Sequence, residues 1–147
     1  MADIQRHGEA RWNGDLRTGS GKTSTGSGIL REVPYSVPSR FENGKGTNPE
    51  EMLAAAHASC FSMMLAKILG DQNQVAREIH TKATLTLGQR AGGWKITSIH
   101  LETHVAGDGL DESTARRAAE QAKEQCPVSV LLKPGLESIT LDVRASA

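Results

Sequence analysis

Alternating polar and apolar positions dominate both ends of the chain, and helical periodicity dominates two stretches between them. Residues 5–37 alternate loosely and are rich in Gly, Ser and Thr, which predicts short strands joined by glycine turns. Residues 38–47 have no periodic pattern and predict a polar loop. Residues 78–105 predict a β-hairpin that turns at 91–93, and a last strand follows a turn at 134–135. The inward positions of these strands are Ile79, Thr81, Ala83, Leu85 and Leu87, then Ile99, Leu101, Thr103 and Val105, then Ile139, Leu141 and Val143.

The longest apolar stretch of the chain predicts its central helix, over residues 49–69. Asn48 is a good N-cap, Pro49 suits the first helical position, and Glu51 can complete a capping box. Gly70 marks the C-terminal end. Between these signals the segment MLAAAHASCFSMMLAKIL is apolar on nearly every face. Such a helix is expected to be buried on all sides, against neighbours close enough to require Ala and Ser.

A second helix is predicted over residues 111–125, where alanines form one stripe. The stripe consists of Ala115, Ala118, Ala119 and Ala122. It continues in register to Cys126, Pro127 marks the boundary, and residues 128–133 predict another short helical turn. The order of elements is β-rich, α, ββ, α, β in a single domain over residues 1–147, which favours an α+β fold over a parallel α/β sheet.

The composition limits the partners that the chain can bind. The sequence has 147 residues, which corresponds to one domain, and its 17 basic and 17 acidic residues balance to a formal net charge of zero. With no basic excess, binding to nucleic acid or to an anionic surface is not expected. Aromatic residues make up only 3%, and association into an oligomer would relieve a core so poor in large side chains.

We predict a cytoplasmic protein that crosses no membrane. Lys67 and Asp71 interrupt the longest apolar run before it reaches the roughly 18 to 20 residues that a membrane helix needs. The N-terminal sequence MADIQRHGEARW lacks the apolar segment of a secretory signal. Cys60 and Cys126 are then expected to be reduced thiols.

Two motifs suggest binding sites but lack the support that such sites need. The sequence GSGKT at residues 19–23 resembles part of a phosphate-binding loop, yet Leu16 occupies the position of the first glycine, so we reject nucleotide binding. His100, Glu102 and His104 share one face of a predicted strand and could hold a metal. A solvated outer face of an antiparallel sheet also explains them, and we expect no metal site.

Cys60 is the candidate nucleophile, and its neighbours favour redox chemistry over a purely structural role. A buried cysteine is most often a small core residue. Here, however, Arg40 in the loop before the helix could stabilise a thiolate, with Glu50 or Glu51 holding its guanidinium. Cys126 ends a different helix, so a disulfide between the two cysteines is geometrically conceivable, and the surrounding Ala, Met and Leu residues would form an apolar pocket.

An activated thiol, a resolving thiol and an apolar pocket together suit the reduction of an organic peroxide. The Cys60 thiolate would attack the O–O bond, release an alcohol and become a sulfenic acid, with which Cys126 condenses to a disulfide. An external dithiol would then restore both thiols. Arg40 would lower the pKa of Cys60 and polarise the peroxide oxygen. Because the pocket is apolar, we expect organic hydroperoxides to react faster than hydrogen peroxide.

Two other functions stay open at this point. A Cys60–Cys126 disulfide could switch an apolar ligand pocket in a redox-responsive binding protein, without turnover. Cys60 and His57 could act in acyl transfer, although a mid-helix position offers no obvious oxyanion hole. We expect His57 to be a packed histidine bonded to a neighbouring element, and Glu51 to be a helix cap.

The motifs around both cysteines resemble the OsmC/Ohr family, the osmotically inducible protein C and organic hydroperoxide resistance proteins. They are N-P-E-E at 48–51, H-A-S-C-F at 57–61 and C-P-V-S at 126–129. The resemblance implies an OsmC-like fold with an antiparallel sheet, a long buried central helix, and an intertwined homodimer with two active sites at the subunit interface. It also implies a thiol peroxidase without a metal or prosthetic group, reduced by a dithiol such as a lipoylated protein.

The same resemblance assigns the site residues. Cys60 matches the peroxidatic thiol and Cys126 the resolving thiol, while Glu50, ten residues before Cys60, matches the carboxylate that positions an arginine. Arg40 in S-R-F-E matches the arginine of the OsmC branch. In the Ohr branch the arginine comes from nearer the N-terminus, where this chain has Arg17. The segment SRFENGKGTNPEE looks like the OsmC branch, so Arg40 is favoured.

Overall fold

The structure, a computed structural model, describes residues 2–147, and the chain divides into two compact units. The first unit ends at Met52 and the second covers Leu53–Ala147. The strands are β1 Gly8–Asn13, β2 Ser20–Thr25, β3 Val33–Tyr35, β4 Glu78–Arg90, β5 Gly93–Ala106 and β6 Ser138–Ser146. The helices are α1 Val37–Phe41, α2 Pro49–Asp71, α3 Glu112–Gln125 and α4 Pro127–Leu132, and a 3-10 turn follows at Lys133–Gly135. The single domain over residues 1–147 stays a prediction.

The first unit contains a three-stranded antiparallel sheet in the order β1-β2-β3, which confirms the strands predicted in residues 5–37. Trp12 and Tyr35 on its outer strands pack with ring centroids 5.5 Å apart. Gly21 of the GSGKT segment lies on β2 beneath Tyr35, where a Cβ would be 2.4 Å from the ring, so this glycine has a packing role. Among residues 2–52, only Gly21 and Ser39 are buried, and neither is a large apolar residue.

Helix α1 covers residues 38–41 of the predicted polar loop, so that prediction is wrong there, whereas residues 42–47 form no helix or strand. Ser36 caps the helix by accepting a hydrogen bond from the Ser39 amide at 3.3 Å, and the Ser39 hydroxyl accepts one from the Ser36 amide at 2.8 Å. Pro38 occupies the first turn. A helix of five residues is too short to show an apolar period, so only its capping residues could reveal it.

Helix α2 confirms the element predicted over residues 49–69 and begins in the first unit. Asn48 caps it, since its Oδ1 accepts a hydrogen bond from the Glu51 amide at 2.8 Å. The prediction of burial on all sides is wrong within this chain, because Met63 is 75% exposed. The buried side chains are His57, Phe61, Leu65, Ile68 and Leu69. An apolar helix that is buried on one face still has apolar surface to cover.

By length and composition alone, α2 falls within the range of helices that can cross a membrane. Its best 18-residue window has a mean hydropathy of 1.5 even though Lys67 lies within the helix, contrary to our expectation from the sequence. The same test is passed by central helices of globular proteins, and 28% of this window is buried. The finding is therefore weak evidence for a membrane span.

The second unit is built on a sheet in the order β4-β5-β6. The antiparallel pairing of β4 with β5 confirms the predicted hairpin. Strand β6, however, pairs parallel to β5, so the predicted antiparallel sheet is wrong for this pair. The reason is topological: α3 and α4 lie between the two strands and form the long crossover that parallel pairing requires.

The core of the second unit brings α2 and α3 together with the inward face of β5 and β6. Its members include Phe61, Leu65, Ile99, Leu101, Val105 and Val143, together with the predicted alanine stripe of α3. Asp111 caps α3 by accepting a hydrogen bond from the Thr114 amide at 2.8 Å. Cys126 ends α3 and begins α4, which confirms the boundary at Pro127 and the helical turn predicted at 128–133.

Candidate active site

The two cysteines of the chain contact each other within the second unit. Cys60, in the middle of α2, is half-buried, and Cys126, at the junction of α3 and α4, is fully buried. Both are free thiols, and Cys60 packs against the core cluster that contains Cys126, close enough for the second thiol to affect its pKa. The backbone N–H of Val128 also donates to the sulfur of Cys60. The fold therefore brings together two thiols that lie far apart in the sequence.

The pKa of Cys60 is raised above its ordinary value. Burial is the largest cause, and the hydrogen bond with Cys126 adds to it, whereas the N–H from Val128 acts in the opposite direction. All of these groups belong to the second unit. A cation outside this group of residues is thus needed to lower the pKa of Cys60 and stabilise its thiolate. The sequence predicts that an arginine has this role.

Arg40 and Glu50 form the second pair of candidate residues, in the first unit. Nε of Arg40 donates to both carboxylate oxygens of Glu50, at 3.0 and 3.2 Å, and Nη2 donates to Oε1 at 2.6 Å. The side chain of Glu50 is 12% exposed and that of Arg40 is 39% exposed. The guanidinium carbon also lies 5.2 Å from the centre of the Phe41 ring. A planar guanidinium held on two sides keeps one orientation.

The other charged candidates have local contacts. Glu51 accepts a hydrogen bond from the Thr47 hydroxyl at 2.6 Å, which agrees with a structural role at the start of α2. Arg17 lies exposed between β1 and β2, where its backbone N–H donates to Asp15 at 2.8 Å. Neither arrangement resembles the bidentate clamp that holds Arg40.

Glu50 and Cys60 occupy different parts of α2. Glu50 lies in the first turn and Cys60 follows ten residues later. At the usual rise of an α-helix, this spacing corresponds to about 15 Å along the axis.

His57 has a buried partner that sequence analysis did not identify. Nε2 of His57 and Oγ of Ser129 share a hydrogen bond of 2.6 Å, with 0% and 1% of the two residues exposed. This contact confirms the expectation of a packed histidine bonded to another element. Nδ1 is buried without a hydrogen-bond partner among residues 2–147. The available signal for Ser129 was its spacing of three residues from Cys126, which matches the spacing of His57 from Cys60.

Burial of His57 should make the protein less stable at mildly acidic pH. Burial lowers the pKa of His57 below its ordinary value of 6.5. As the pH falls below that value, the unfolded chain takes up a proton that the folded chain does not. The free energy of unfolding should then fall by up to about 1.4 kcal/mol per pH unit.

The control for this effect is His57→Gln, whose amide can replace the Nε2 hydrogen bond but does not titrate. We expect the free energies of unfolding in urea of the wild-type protein and His57→Gln to diverge between pH 7.5 and 5.5. Only the wild-type protein should lose stability through proton uptake by His57 in the unfolded chain. Parallel stability curves would show that His57 titrates normally.

No metal cluster is found in the part of the chain that the structure describes, where no three His, Cys, Asp or Glu side chains come close enough to hold an ion. His100 instead contacts Thr140 at 2.7 Å, and His104 contacts Ser146 at 3.0 Å. Glu102 pairs with Lys82 at 3.5 Å. These contacts are those of a polar outer sheet face.

Comparisons with known proteins find relatives along most of the chain. A family model described as OsmC-like protein matches residues 42–140. Peroxiredoxin OsmC of Escherichia coli (strain K12) is 45% identical over 139 residues, which cover 95% of each chain. An organic hydroperoxide resistance protein of Xanthomonas axonopodis pv. citri is 32% identical over 87 residues, which cover 58% of this chain and 59% of that protein.

Two solved structures have a similar fold. The organic hydroperoxide resistance protein OsmC of Legionella pneumophila aligns with a TM-score of 0.77 at 23% identity, covering 98% of this chain and 99% of that one. An organic hydroperoxide resistance protein of Elizabethkingia anophelis aligns with a TM-score of 0.78 at 23% identity, covering 99% and 100%. At these identities the likeness establishes the α+β fold.

Proposed function

The chain belongs to the OsmC family, and on that premise we propose that it is a cysteine peroxidase that reduces organic hydroperoxides to alcohols. The observation that carries the proposal is the proximity of the thiols of Cys60 and Cys126. A peroxidatic cysteine needs a second thiol within reach because its sulfenic acid must be captured before further oxidation. The names of two relatives, peroxiredoxin and organic hydroperoxide resistance protein, support the same activity.

The reaction has three balanced steps. The Cys60 thiolate attacks one oxygen of the hydroperoxide, the O–O bond breaks, and the alkoxide takes a proton to leave as an alcohol. The resulting Cys60 sulfenic acid condenses with the Cys126 thiol, which forms the S–S bond and releases water. An external dithiol then reduces the disulfide by exchange and becomes a disulfide itself. No metal or prosthetic group takes part.

In this proposal Arg40 activates the thiol and Glu50 orients Arg40. The carboxylate engages Nε and Nη2, which leaves Nη1 to face another group. A guanidinium beside Cys60 would oppose the effect of burial on the pKa of the thiol and stabilise negative charge on the departing oxygen. About 15 Å of helix separates Glu50 from Cys60, so we assign Arg40 to the Cys60 of a second copy of the chain.

Two features support an intertwined homodimer as the working state. The described residues of the first unit, 2–52, bury no large apolar side chain, and a unit of that size needs a covered apolar surface to be stable. Helix α2 leaves Met63 75% exposed on its second face. In this proposal a second copy of the chain covers both surfaces, since it brings the same apolar helix and the same uncovered sheet.

Apolar residues near the cysteines favour an organic substrate. Met63 lies one turn after Cys60, while Val130 and Leu131 follow the segment that contacts its sulfur and are 57% and 75% exposed. Such side chains would favour an alkyl group over the water-like hydrogen peroxide. The reductant in this proposal is a dithiol such as a lipoylated protein, and the location is the cytoplasm.

Stoichiometric oxidation of the reduced protein tests the proposal directly. With one equivalent of cumene hydroperoxide, we expect both thiols to disappear and the intact mass to fall by about two hydrogens. With excess dithiothreitol, hydroperoxide consumption should continue over many turnovers and exceed the rate for hydrogen peroxide. Survival of both thiols would refute the peroxidase. A single oxidation without turnover would indicate the redox-responsive binding protein instead.

Single-cysteine variants provide the matched controls. Cys126→Ser should still consume one equivalent of hydroperoxide but retain a sulfenic acid that dimedone labels, and it should proceed to sulfinic acid in excess peroxide. Cys60→Ser should consume none. Equal reactivity of the two variants would contradict the assignment of separate roles.

A further inference from the structure

Two pairs of residues face each other where α2 meets the start of α4. On α2, His57 and Cys60 are three residues apart and share one face. Around the start of α4, Cys126 and Ser129 have the same spacing. Cys60 contacts Cys126, and His57 contacts Ser129 at 2.6 Å. A buried polar contact therefore lies one helical turn from the two thiols.

Helix α4 is otherwise attached by Val128 and Leu132, which pack against the core, and by the backbone N–H of Val128 beside Cys60. It has six residues, and no side chain caps its N-terminus. Ser129 is the only residue that it buries, whereas Val130 and Leu131 are largely exposed. Within the part of the chain that the structure describes, the bond to His57 is the one hydrogen bond between side chains that joins α4 to α2.

This contact is costly to break because both partners are buried. Nδ1 of His57 already lacks a partner among residues 2–147, so loss of Ser129 would leave the ring without any hydrogen bond. A buried polar group in that state costs free energy, and the structure would relax by moving α4 or admitting water. Cys126 precedes α4 directly, so it would move with this segment.

We propose that the His57–Ser129 hydrogen bond is a positioning device that holds the resolving thiol of Cys126 against Cys60. It sets the rate of disulfide closure and the stability of the disulfide, and it takes no part in peroxide attack. The inference rests on the proposed function for its kinetic consequence. The geometric consequence, that the pair raises the effective concentration of one thiol at the other, holds for any oxidant.

The structure offers variants that separate this role from simple packing. Ser129→Ala and His57→Leu each remove the hydrogen bond, whereas His57→Gln places an amide group that can hydrogen-bond near the position of Nε2. Ser62→Ala is the matched control, because it also removes an inter-element hydroxyl contact, to Thr81 at 2.9 Å, close to Cys60. Thermal unfolding of all four variants identifies any that do not fold.

The first measurement is the equilibrium between the Cys60–Cys126 disulfide and glutathione, which needs no peroxide. We expect the equilibrium constant for disulfide formation to fall about tenfold in Ser129→Ala and His57→Leu, the loss expected for one buried hydrogen bond. It should change less than about twofold in His57→Gln and Ser62→Ala. Equal constants in all five proteins would overturn the proposal.

The second measurement follows one turnover by rapid mixing with cumene hydroperoxide. Formation of the sulfenic acid should keep its rate in Ser129→Ala, while closure should slow about tenfold and sulfinic acid should accumulate. Slowing of both steps together would indicate a general packing defect and contradict the proposal. If the wild-type protein forms no sulfenic acid, the proposed function fails, and the glutathione equilibrium still decides the positioning role.

Discussion

Replacing Arg40 by alanine is expected to lower kcat/KM for an alkyl hydroperoxide by about 10²- to 10³-fold, which is the usual cost of removing one charged or hydrogen-bonding group from a transition state. Glu50 holds the guanidinium by three hydrogen bonds, so the charge is oriented before substrate binds. Without this charge, only burial and the contacts with Cys126 and Val128 should govern the pKa of Cys60, which should therefore rise. Steady-state kinetics and the pH dependence of Cys60 alkylation measure the two effects.

Three further variants sharpen this test. Arg40→Lys keeps the charge but loses the bidentate fork, so it should recover only part of the rate. Glu50→Gln should lower the rate less than Arg40→Ala, because the guanidinium is present but less firmly oriented. Arg17→Ala should have near wild-type kinetics. A loss of activity in Arg17→Ala with normal kinetics in Arg40→Ala would transfer the role to Arg17.

Most secondary structure could be predicted because its signals are local. The alanine stripe of α3, the cap Asn48, and the alternation along β4 and β5 each depend on a few neighbouring residues. From the residues alone, the pairing of Cys60 with Cys126 was only geometrically conceivable; the family resemblance implied it, and in the structure the two residues lie close together. Local patterns are reliable where the same residues determine both the element and its packing.

The predictions that failed depend on information from distant parts of the chain. Alternating residues in β6 suit parallel and antiparallel pairing equally, and the crossover through α3 and α4 decides between them. The apolar residues on nearly every face of α2 indicate that these faces are covered in the working protein. They do not indicate whether the same chain or a second chain covers them. Ser129 was missed because a serine has no periodic signature, and its importance appears only beside His57.

Mixed dimers provide the sharpest test of where the arginine comes from. Glu50, which binds Arg40, comes ten residues before Cys60 on α2, or about 15 Å along the helix axis, so we expect each site to combine Arg40 of one copy with Cys60 of the other. Homodimers of Arg40→Ala should have a greatly reduced rate, and those of Cys60→Ser should be inactive. A dimer with one chain of each kind contains one intact site, so it should recover roughly half of the wild-type activity.

Purification with two different affinity tags isolates the mixed dimers for kinetic assay. The matched control pairs Cys60→Ser with Cys126→Ser, because both cysteines of a site come from one chain and no combination restores them. That dimer should fail to turn over, although it assembles equally well. Recovery in the first mixture but not in the second requires an active site shared between subunits in this manner. An inactive first mixture would instead require Arg40 and Cys60 of the same chain to act together, and the assignment across the interface would be wrong.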